Sequence, residues 1–131
     1  MKLVLPDTNI LILALSNQKP YSSFLSSWII DKQLIFSSVV VAEFLSGATD
    51  EEEKVFLSLL KPFPIIPVDL TVAQLGAYYR KKYLTQKTKL MLPDCLIAAS
   101  CKVTKAALAT ADPKDFPIKE IEVLHLDSKV T

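Results

Sequence analysis

The chain has 131 residues, 50% of them hydrophobic and 22% charged, and its 15 Lys and Arg against 14 Asp and Glu leave a formal charge of +1. Such a chain buries roughly two-thirds of its unfolded surface in one core, and a near-neutral balance excludes binding to a polyanion by bulk charge, so nucleic-acid contact has to come from a local patch. No Gly/Ser linker, low-complexity tract or repeat divides it, no apolar run reaches the roughly 18 residues of a membrane span, and Pro6 and Asp7 come too early for a signal-peptide core, so one soluble, cytoplasmic domain with no membrane contact is expected over residues 1–131.

Leu3, Val4, Leu5 and Pro6 form a buried strand that delivers Asp7 to its carboxyl end, the edge at which open α/β sheets bind ligands. Asp7 or Thr8 also suits the N-cap of the helix that follows from Asn9, and capping alone would explain either residue. Pro20 opens a second helix whose Tyr21, Phe24, Leu25, Trp28 and Ile29 make one apolar stripe, for the core or a subunit interface. Leu34, Ile35 and Phe36 make a short strand, and the run after it through Leu45 is a helix stopped by Gly47. Glu43 interrupts that apolar run, either turned to water or held for chemistry. Thr49 and Glu52 make a capping box, and Asp50 to Glu53 complement the positive end of the helix, so the densest acidic run is structural.

Ile65, Ile66 and Val68 are a short extended piece at a sheet edge, given the neighbouring prolines. Asp69 or Thr71 opens a helix with Val72, Leu75, Gly76, Tyr79 and Tyr83 facing inward. Its far end gathers Arg80, Lys81, Lys82, Lys87 and Lys89, which is either a solvated helix end favoured by the macrodipole or the best phosphate-binding patch in the chain. Pro93 and Asp94 open a helix with almost no polar face, so Asp94 either caps it or enters a low-dielectric region unless something positive meets it. Cys95 and Cys101 are about 240° apart around that helix, cannot bridge within it, and act as small core residues. Ala106 to Thr110 form the next strand, followed by a turn from Asp112 to Asp115, where either acid could be a turn residue. Glu120 to Leu126 complete the chain as a last strand carrying His125, an ordinary surface or edge residue.

Asp7, Glu43, Asp94 and Asp112 each stand beside a strand end, on or entering a helix. Brought together they would repel, by about 4 kcal/mol for a pair 4 Å apart at an effective dielectric of 20, and a divalent cation would reverse that sign. Oxygen ligands without a His or Cys cluster suit Mg²⁺ or Mn²⁺ rather than zinc, and such ions serve phosphoryl chemistry.

Asp7-Thr8-Asn9, the run from Ser37 to Glu43, Pro93-Asp94 with Ile97-Ala98-Ala99, and the run from Thr110 to Phe116 resemble, in order, the four motifs of the PIN domain, and within it the VapC type of toxin ribonuclease. Val40 stands where the family often has Thr, Ala111 where it often has Arg, and Asp112 where Asn is frequent. The resemblance implies an α/β fold with a central parallel sheet of four to five strands flanked by helices. It implies Mg²⁺- or Mn²⁺-dependent endonucleolytic cleavage of RNA by metal-activated water, leaving a 5′-phosphate and a 3′-hydroxyl, by the toxin of a type II toxin-antitoxin pair. A homodimer and an antitoxin whose segment covers the acidic pocket are implied with it. On this reading Asp7, Glu43, Asp94 and Asp112 are the catalytic and metal-binding carboxylates. Thr8, Asn9, Ser37 and Thr110 support them, Asp115 orients the last loop, and Arg80, Lys81, Lys82, Lys87 and Lys89 meet RNA. Two alternatives are a PIN-like module that binds RNA or a partner without cutting, and a haloacid-dehalogenase-like phosphatase, whose second Asp is replaced here by Asn9.

Overall fold

Short parallel strands set the frame of the computed structural model, which describes residues 2–88 and 90–126. In chain order they are β1 (Val4–Pro6), β2 (Phe36–Ser37), β3 (Ile65–Ile66) and β4 (Ala107–Ala109). β1 pairs with β4 and β2 with β3, both in parallel. Single parallel bridges, Val4 to Leu34 and Leu108 to Val123, extend these pairs. The described residues therefore hold two two-stranded sheets linked by bridges, not the continuous four- to five-stranded sheet expected. The segments are only two or three residues long, and Pro6, Pro64 and Pro67 remove ladder donors beside them. The last expected strand is reduced to the one bridge at Val123, and His125 is exposed.

Among the described residues six α-helices surround this frame: α1 (Thr8–Leu15), α2 (Tyr21–Ile30), α3 (Ser38–Ser46), α4 (Asp50–Leu60), α5 (Leu70–Tyr83) and α6 (Leu92–Thr104). Their starts follow local chemistry. Asp7, Ser37, Thr49 and Asp69 each accept a hydrogen bond from an orphan backbone N–H, and Thr49 with Glu52 closes the capping box. α6 differs: Met91 occupies its N-cap without a side-chain bond, Pro93 lies in the first turn, and Lys105 ends it in the left-handed conformation. Asp94 is thus inside the first turn and is not the cap.

The main core packs Leu5, Leu11, Phe36, Val40, Phe56, Ile97 and Leu108 around the strands, all at most 1% exposed. A second core joins α5 to α6 through Val72, Tyr79, Cys95, Ala98 and Ala99. There Gly76 lets the helices touch, since a Cβ on it would stand 2.6 Å from Leu96 Cδ2. Because every strand pair is parallel, β1, β2 and β4 release their next residues, Asp7, Ser38 and Thr110, at one common edge.

Candidate active site

Asp7 sits at the carboxyl end of β1, 5% exposed. Its Oδ1 accepts from the Ile10 N–H at 3.0 Å, capping α1, while its Oδ2 accepts from the Thr110 hydroxyl at 2.5 Å across 103 residues of sequence. Capping and membership of the acidic group, posed as alternatives by the sequence, are served by different oxygens of one carboxylate. Burial pushes the Asp7 carboxyl above its usual range; the two hydrogen bonds oppose that rise, and Asp112 and Glu43 add to it. Thr110 is itself buried and also accepts from the Asp112 N–H at 3.1 Å, which fixes the last loop to the first strand.

Asp94 lines the same crevice as Asp7, Thr8, Asn9, Glu43 and Ile97, a space of about 80 Å³. No hydrogen bond reaches its carboxylate among the described residues. Burial, followed by the charges of Glu43, Asp115 and Asp7, pushes it up to about 6. Glu43, exposed on α3, accepts from the Thr8 hydroxyl at 2.7 Å. Asp112 precedes the 3₁₀ turn Pro113–Asp115 and makes no cap bond with its side chain, while Asp115 is exposed on that turn.

The fold thus brings Asp7, Glu43 and Asp94 to one crevice, with Asp112 and Asp115 close enough to raise their neighbours' proton affinity. Even so, no three of the described acids are already arranged to hold an ion. In kind the donors fit a hard divalent cation: they are all oxygens, Asp94 is unpartnered, and their repulsion is what a cation would relieve.

Supporting residues divide. Thr8 and Thr110 bond the acids, whereas the Ser37 hydroxyl is used by the Val39 N–H at 3.1 Å, and Asn9 only lines the crevice. The basic residues do not form one patch. Lys82 bonds Glu120 at 3.4 Å and lies over the Tyr78 and Tyr83 rings. Lys81 and Lys87 are exposed without an ion pair among the described residues, Arg80 is half-buried, and Lys89 lies outside the described residues.

Beside the crevice, and sharing Glu43 with it, is a mainly apolar pocket of about 250 Å³ between α1, α3 and α4, lined by Ile12, Leu15, Phe44, Ala48 and Val55 among others. Sequence reasoning missed it. The fold leaves Ile12 and Val55 at this pocket 48% and 56% exposed, and no pattern in the sequence marks that exposure.

Residues 4–122 match the PIN domain, and the chain belongs to that family, which removes the phosphatase alternative. It is similar to Ribonuclease VapC10 of Mycobacterium tuberculosis, 29% identical over 118 residues that cover 90% of this chain and 89% of that one. It also superimposes on a toxin-antitoxin complex from Klebsiella pneumoniae with a TM-score of 0.72 at 28% identity, covering 92% and 99% of the two chains. FitAcB from Neisseria gonorrhoeae gives a TM-score of 0.75 at 26% identity, covering 94% and 97%.

Proposed function

We propose that this chain is an endoribonuclease dependent on Mg²⁺ or Mn²⁺, the toxin of a type II toxin-antitoxin pair, acting in the cytoplasm as a homodimer. The observation that carries this is the crevice of Asp7, Glu43 and Asp94 in a PIN-family chain similar to Ribonuclease VapC10. Asp7, Glu43 and Asp94, with Asp112, are the carboxylates that would hold the ion. When bound, such an ion activates water against a phosphodiester and neutralises charge on the leaving oxygen. The chain's own part is positional. Asp7 is fixed by α1 and Thr110, Asp94 rides on a helix anchored by its buried Cys95, Ile97, Ala98 and Ala99, and the Thr8 hydroxyl holds Glu43 until a better partner competes for its oxygen. Asp115 sits on the turn that Thr110 anchors, where it shapes the last loop.

An antitoxin partner is supported by the toxin-antitoxin complexes among the structural neighbours and by the apolar pocket that opens beside Glu43. A segment with apolar side chains laid in that pocket would reach the acids and block RNA.

The test is cleavage of single-stranded RNA by the purified chain with Mn²⁺, with EDTA, and with Asp94→Asn. Cleavage that needs the ion and Asp94 is expected. Undiminished cleavage in EDTA would refute the mechanism. A non-cleaving binding module is the second reading, favoured by the place of Asp112 outside the lining of that crevice; RNA binding with no cleavage under any ion would establish it instead.

A further inference from the structure

Of the six residues that line the acid crevice, Asp7, Glu43 and Asp94 offer only acceptors when ionised, and Ile97 offers nothing polar. Two side-chain donors are left. The Thr8 hydroxyl already donates to Glu43 at 2.7 Å. The Asn9 carboxamide, exposed at the second position of α1, makes no hydrogen bond with any described residue, the acids included. Local structure does not account for it. Asp7 caps the helix, so Asn9 has no capping to do, and asparagine past the cap is among the weaker helix formers. No described Lys or Arg lines the crevice. Asn9 is therefore the one uncommitted side-chain donor at a site otherwise made of acceptors.

A phosphodiester brings further acceptors, so a crevice that takes one needs a donor to orient its oxygens, whatever ion relieves the repulsion among the acids. A lysine in that place would pair with the carboxylates and compete with the ion. A neutral carboxamide donates without doing either. We infer that Asn9 is a substrate-binding residue, its side-chain NH₂ donating to a non-bridging oxygen of the scissile phosphate of RNA. This rests on the nuclease reading for the identity of the phosphodiester, not for the free donor. The Asn9 oxygen could instead join the ion, and the two roles part experimentally.

The experiment uses the full chain and a labelled, mixed-sequence single-stranded RNA oligonucleotide. RNA binding is measured at saturating Ca²⁺, a hard ion that takes the same oxygen donors, and cleavage with Mn²⁺. Affinity for each ion alone is read from melting shifts. Asn9→Ala is expected to weaken RNA binding about tenfold, the loss of one hydrogen bond to a charged acceptor, with ion affinity unchanged. Asn9→Asp keeps the shape but turns the donor into a further carboxylate. It should weaken RNA binding at least as much while ion affinity holds or rises, a pair of opposite changes that a structural role would not produce. Both variants should fold, since Asn9 is exposed and bonded to no described residue. Unchanged RNA affinity in Asn9→Asp overturns the proposal. A fall in ion affinity in Asn9→Ala that accounts for its whole loss of RNA binding overturns it in favour of an ion ligand. Failure of the nuclease reading is separate: Asn9-dependent RNA binding without ion-dependent cleavage keeps the contact and removes the catalysis, and ion-dependent cleavage at the parent rate in both variants does the reverse.

Discussion

Asp94 has no hydrogen bond among the described residues, and burial and neighbouring acids raise its carboxyl from 3.8 to about 6. The folded chain then binds this proton more tightly than the unfolded one. Stability from this group is greatest below about pH 4, falls as pH rises through the window from 4 to 6, and stays reduced above it. Asp94→Asn should therefore stabilise the metal-free protein at pH 7 by on the order of 1 kcal/mol, discounted for partial exposure, with the gain shrinking toward zero at pH 4. Melting curves at the two pH values decide it, and a variant that melts lower at pH 7 would contradict the crowding described here. Thr110 behaves oppositely. Thr110→Val keeps the shape but leaves Asp7 Oδ2 and the Asp112 N–H without their partner, at a cost of about 1–3 kcal/mol. Chemical denaturation should show that loss together with weaker cleavage, and a loss of cleavage with stability intact would make Thr110 something other than a tie between the first strand and the last loop.

At the level of helices and strands, α5 and α6 approach too closely for a side chain at residue 76. Gly76→Ala gains helix propensity, but its Cβ would meet Leu96 Cδ2 at 2.6 Å and Cγ at 3.3 Å. Leu96 can rotate only in part, so a net loss of about 1 kcal/mol is expected from a lower denaturation midpoint; a higher midpoint would mean that the two helices slide apart easily. Much at this scale was legible in the sequence because it is local. The caps at Asp7, Thr49 and Asp69 and the stop at Gly47 are set by residues within one helical turn, and they formed as expected. What depended on distant partners was not legible. The bond from Thr110 to Asp7 spans 103 residues and that from Thr8 to Glu43 spans 35. Asp94 could be taken for a cap because Pro93 usually marks a helix start; the helix begins earlier, from an uncapped Met91. The basic run was contiguous in sequence, yet helix geometry sends Arg80 inward and Lys82 to Glu120. Asp7 and Asp112 follow strands and Asp94 lies in the first turn of a helix, positions the sequence made legible, whereas Glu43 lies in the middle of α3 and reaches the crevice only through the packing of that helix.

For the molecule as a whole, the acid crevice is a source of instability that a bound cation would convert into a source of stability. Mn²⁺ at a hundred times its dissociation constant should add about 2.7 kcal/mol to the stability of the full chain. Thermal melts with and without the ion should show a shift that Asp7→Asn and Asp94→Asn abolish; an equal shift in all three proteins would locate the ion elsewhere. The partners of the crevice also come from opposite ends of the chain. During synthesis Asp7 leaves the ribosome early, but the strand that pairs with β1, and the hydroxyl that fixes Asp7, arrive only with residues 107–110. Until then the first carboxylate has a cap and no anchor, and such a long-range closure is among the last steps of folding. A nascent chain halted before residue 106 should accordingly carry its early helices yet be unable to close the crevice, so the site forms only after the last of its partners has been made.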